Sequence, residues 1–110
     1  MTREIRNARI TSTMLGIEDH GIFTAVVQLE GNGWSQGFGT YCYGAALKAS
    51  PAQAMSALRF IQEVCRIAGV DSWEKLPGKY VRMEFDNCKV YRIGSILGDD
   101  WFDTEERIAS

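Results

Sequence analysis

The chain has 110 residues and a mass of 12.3 kDa, the range of one small domain. With 45% hydrophobic and 24% charged residues it has the composition of an ordinary soluble globule that supports a modest core without disulfides. A net charge of −2 and a pI near 5.3 argue against a general nucleic-acid binder, so no direct nucleic-acid binding is expected.

Along the chain, the first segment interleaves Arg3, Arg6 and Arg9 with Ile5, Ala8 and Ile10, then continues into β-branched residues. It reads as a strand with a solvated edge in preference to a basic helical face on phosphate. Glu18-Asp19-His20-Gly21 is a polar turn. In the next strand Phe23, Ala25, Val27 and Leu29 alternate with Thr24, Val26 and Gln28, so the odd positions should face the core. Gly31-Asn32-Gly33 turns the chain into a third strand with Trp34, Gln36, Phe38, Thr40 and Cys42 on one side. Gly37 and Gly39 leave its other side bare, which predicts a bulge or the close approach of another group.

One long helix is predicted over 51–68. Ser50 is a good N-cap, Pro51 suits the first helical position, Gln53 completes a capping box, and Gly69 supplies a left-handed stop. Ala54, Ala57, Leu58, Ile61, Val64, Cys65 and Ala68, extended by Phe60 and Ile67, form the predicted apolar side. A short turn at Asp71–Glu74 leads to a strand with Val81, Met83 and Phe85 on one side. Asp86-Asn87 reverses the chain into a last strand between Cys88 and Leu97, and an acidic tail begins at about residue 98. The order βββαββ predicts a single α+β domain over 1–110, with a mainly antiparallel sheet of about five strands and one helix packed on one face.

No apolar run approaches the roughly 18 residues a membrane crossing needs, and MTREIRNARIT lacks the apolar core of a signal peptide. Cys42, Cys65 and Cys88 are widely spaced with no CxxC, the pattern of buried thiols in a reduced compartment. Gly31 to Gly39 has the glycine density of a phosphate loop, but it joins two strands and lacks the helix that would hold a pyrophosphate. A turn followed by a bulged strand is preferred over a groove for a flat ring against Trp34, Tyr41 or Tyr43. Glu18, Asp19 and His20 offer one imidazole only, short of a metal set, so no metal and no cofactor are expected. No activated Ser or Cys is evident, and the chain is read as a non-enzyme. Carboxylates dense around two aromatics in the tail, by contrast, can occupy a basic groove on a partner while the rings act as anchors.

Five stretches resemble a family of small phage and prophage accessory proteins: Ile10–Thr13, Gly16–Ile22, Gly37–Gly39, Val70–Gly78 and Trp101–Asp103. The resemblance implies a mobile-element protein working in the cytoplasm of a bacterial host, where such proteins often antagonise defence. The expected function is then binding and inhibition of a bacterial defence component such as a CRISPR effector. Asp99, Asp100, Trp101, Asp103, Glu105 and Glu106 are the candidate contact residues, with Glu18 and Asp19 as a second acidic spot. A sponge for a small nucleotide signal is the alternative, using Trp34, Gly37, Gly39 and Tyr41 for the ring and Arg82 or Arg92 for phosphate. A minor virion component is a third reading, and homo-oligomers are compatible with all three.

Overall fold

A computed structural model describes residues 2–17, 21–40, 50–87 and 89–103. In chain order these form β1 (Glu4–Ile17), β2 (Phe23–Gly31), β3 (Trp34–Thr40), α1 (Pro51–Ala68), a 3-10 turn (Trp73–Lys75), β4 (Tyr80–Phe85), β5 (Val90–Gly94) and β6 (Trp101–Asp103). The strands make one antiparallel sheet in the order β3-β2-β1-β4-β5-β6, with α1 against one side. The α+β architecture read from the sequence is therefore present. The sixth strand comes from the segment read as the start of the acidic tail.

β1 serves two neighbours in succession. Glu4–Arg9 pair with β4, whereas Arg9–Ile17 pair with β2. The register slips between Ile10 and Ser12, leaving Thr11 as an extra residue whose hydroxyl donates to the Gln28 carbonyl at 3.4 Å. Such a bulge bends and twists a strand. Ile10 is held at the bend by the turn just before β4, its N–H donating to Lys79 O (2.8 Å) and its carbonyl accepting from Gly78 N (2.7 Å).

The bend lets the sheet curl until its two ends meet. Phe38 on β3 lies 6.0 Å, edge to face, from Phe102 on β6, and Trp34 stacks on Phe85 of β4 at 5.2 Å. Helix α1 inserts Phe60 between these ends, 5.7 Å from Phe38, 5.9 Å from Phe102 and 6.4 Å from Trp73. Phe60, Val64, Val27, Leu29, Val81, Met83 and Ile93 are wholly buried around this ring cluster.

The helix ends are as the sequence predicts. Gln53 N–H donates to the Ser50 hydroxyl, Ser50 N–H donates to the Gln53 side chain, and Gly69 is left-handed. The buried stripe, however, is Ala57, Phe60, Val64 and Ile67, while Ala54 and Leu58 are exposed. The buried stripe is narrower than the predicted apolar side, because a sheet already curled toward the helix touches a narrow strip of it. Two further differences concern the strands. Thr24 and Val26 are buried as well as Ala25 and Val27, so this part of β2 is covered on both sides. β3 pairs with β2 in unbroken register and carries no bulge. Close approach is what Gly39 provides, since a Cβ there would overlap the Ala25 carbonyl of β2.

Candidate functional site

Alternation along the strands sorts the charged residues. On β4, Val81, Met83 and Phe85 turn toward the helix, and Tyr80, Arg82 and Glu84 turn away. Cross-strand register places Arg9 beside Tyr80, Gly94 beside Arg82, Arg92 beside Glu84, Trp101 beside Gly94 and Asp103 beside Arg92. The side away from α1 is thus a polar and aromatic face spanning β1, β4, β5 and β6.

Glu84 organises one part of it. One carboxylate oxygen accepts from Arg3 at 3.0 Å, and the other accepts from Arg92 at 3.0 and 2.9 Å. The Arg3 guanidinium, then that of Arg92, holds the Glu84 carboxyl below its usual range. Arg3 also lies over the Tyr91 ring, 3.5 Å from its centroid, and the Tyr91 hydroxyl donates to Asp86 at 2.5 Å. That hydrogen bond pushes the phenol upward. The second part is Trp101, whose ring covers Gly94 and is flanked by the guanidinium carbons of Arg92 and Arg82 at 4.2 and 4.8 Å. A Cβ on Gly94 would come within 2.7 Å of the indole, so glycine is what allows the ring to lie there.

The loop between β5 and β6 is fastened at several points. Arg82 donates to the carbonyls of Ser95 (2.8 Å) and Gly98, and Ser95 N–H donates to Asp100 O at 3.0 Å. The Asp100 carboxylate pairs with Arg66 on α1, which also holds Glu63 at 2.8 Å. The Glu63 carboxyl is accordingly held below its usual range. Between the two carbonyls gripped by Arg82, Leu97 is 98% exposed.

Of the predicted contact residues, Asp99, Asp100, Trp101 and Asp103 come together at this end of the sheet. Asp99 is exposed and accepts from the Trp101 indole N–H at 3.3 Å. Asp100 is engaged with Arg66, and Trp101 is half-buried. Glu18, Asp19, Glu105 and Glu106 lie outside the described residues, as do His20, Tyr41, Tyr43, Cys42 and Cys88. The predicted ring-and-phosphate set is not brought together. Trp34 lies on the helix side against Phe85, with its indole N–H buried and without a partner among the described residues, whereas Arg82 and Arg92 lie on the opposite side. Gly37 is exposed on β3.

Leu97, Glu84 and Tyr80 were not singled out by sequence. Period two through Tyr80, Arg82 and Glu84 was a signal for the face. No short-range signal foretold that Arg82 would reach across β5 to the 95–98 loop. Among the described residues, no group of three or more His, Cys, Asp or Glu is placed to hold a metal, and no helix is long and apolar enough to cross a membrane. Cys65 is half-buried on α1, and burial pushes its thiol up. No family model, curated protein or solved structure matches this chain.

Proposed function

We propose that this chain works by contact: an accessory protein of a phage or prophage that binds and blocks a bacterial defence component, such as a CRISPR effector, in the host cytoplasm. The observation that supports the reading is the β5–β6 loop, held by Arg82 on both sides of an almost fully exposed Leu97, with Asp99 beside it. A loop already fixed in one conformation loses little freedom on docking, so more of its contact energy becomes affinity. An apolar knob next to a carboxylate matches a partner pocket with a basic rim, where the buried anchor supplies energy and the charge steers encounter. Asp103 follows on β6, and Glu105 and Glu106 continue the acidic run in the sequence.

The test is capture from lysate of phage-infected host cells, followed by affinity measurement on the retained protein with Leu97→Asp and Asp99→Lys variants. Both positions are exposed, so both variants keep the fold. Wild type should bind, each variant should bind at least about tenfold more weakly, and about 0.3 M added salt should slow association. Retention of no host protein, or unchanged affinity in both variants, would defeat the reading.

A further inference from the structure

Strand β1 outlasts its second neighbour. β4 pairs with Glu4–Arg9 only, so beyond the Thr11 bulge Ser12–Ile17 is bonded to β2 on one side and, among the described residues, to no strand on the other. In an antiparallel ladder alternate residues direct both N–H and carbonyl to the same neighbour, so half of this segment offers its backbone groups to an open border. The other borders of the sheet are defended. β6 is three residues long, and β3 lies against the end of β4, with Gln36 donating to the Asp86 carbonyl at 3.1 Å. The β1 border has no such device: Ile10–Ile17 holds no charged residue and no proline. Register puts Thr13, Leu15 and Ile17 beside Val27, Ala25 and Phe23, on the core side, yet Leu15 is 43% and Ile17 45% exposed.

We infer that two copies of this chain pair through this border, antiparallel about a two-fold axis, and join their sheets into one. A row of unpaired backbone donors and acceptors is matched by an extended strand, which fixes the kind of occupant. Three observations select the chain's own copy. In an antiparallel self-pair a charge near the axis would sit opposite its like, and Ile10–Ile17 has none; the same neutrality gives a partner of opposite sign nothing to recognise. The segment is also self-complementary. Setting Leu15 opposite its copy sets Thr13 opposite Ile17, so the exposed apolar side chains cover one another on one side of the joined sheet, whereas a slip of one residue would part them. Finally, a copy brings a strand that is already extended and backed by β2, so docking orders less chain than it would in a loose peptide. Each copy uses its open border in the contact, and assembly stops at two.

The experiment is sedimentation velocity of the full chain from about 10 to about 500 µM. So short a border makes a small interface, and a dimer with a dissociation constant on the order of 100 µM is expected. Leu15→Lys and Leu15→Glu each put like charges directly across the axis, and each should weaken self-association at least about tenfold. An equimolar mixture of the two variants should dimerise again, because lysine then faces glutamate; a variant that had merely lost its fold would not be rescued. Circular dichroism verifies that both variants fold. Wild type that stays monomeric throughout the range would leave the border to a foreign strand and overturn the proposal. So would a dimer that both substitutions leave intact, or a mixture that remains monomeric.

Discussion

The two tryptophans that lie on glycines have opposite fates. Trp34 covers Gly31 from the neighbouring strand and Trp101 covers Gly94, each at a directly paired position. Trp34 points to the helix side, stacks on Phe85 and leaves its indole N–H without a partner among the described residues. Trp101 points the other way, between two arginines, with its N–H on Asp99. The local device is the same, a ring filling the space of an absent side chain. What differs is which side of the sheet the register selects. One tryptophan seals the core, and the other is part of a surface.

The largest effect that tests this contrast lies on the covered side. Phe60→Ala removes the ring that touches Phe38, Phe102 and Trp73, and should cost about 3–5 kcal/mol in urea unfolding. Trp101→Ala should cost clearly less, and comparable losses would break the distinction between the two sides. A sharper test is alanine at each glycine. Gly31→Ala forces overlap with a ring pinned by Phe85 and should cost about 3 kcal/mol, whereas Gly94→Ala meets a ring that can lift toward solvent and should cost about 1 kcal/mol. Ser50→Ala removes the cap of the covering helix and should cost about 1 kcal/mol by thermal denaturation, with the sheet unaltered.

The smallest effect is one of pH. The folded Glu84 carboxyl is depressed by Arg3 and Arg92, so its contribution is complete above its unfolded value, about 4.5, and is lost as pH falls through the folded value. Glu84→Gln should therefore flatten the stability curve below about pH 5 while leaving its shape near neutrality. An identical acid limb in the variant would mean that the face holds Glu84 too loosely to matter.

How much of this was legible in the sequence varied with the range of the interaction. Ser50, Pro51, Gln53 and Gly69 fix the helix by contacts within a few residues, and they were read correctly. Alternation fixed which side of β4 met the core. The helix stripe was misjudged at Ala54 and Leu58 because its width depends on how far the sheet curls, and that depends on a bulge at Thr11 with no marker residue. The sequence marks the tail as acidic with two aromatics. That Phe102 completes the core and Asp100 reaches Arg66 follows from pairing between segments far apart in the chain. Chemical type alone groups Trp34 with Arg82, although period two puts them on opposite sides once the register is known.

The ring trio also orders events during synthesis. Phe38 and Phe60 are made early, but the third aromatic that joins them, Phe102, is translated more than forty residues after Phe60. Until then the curled sheet has no closing strand, and a greasy seam stays open to water and to chaperones. Ribosome-bound chains halted before this position should be captured by a holdase, and the released full chain should not.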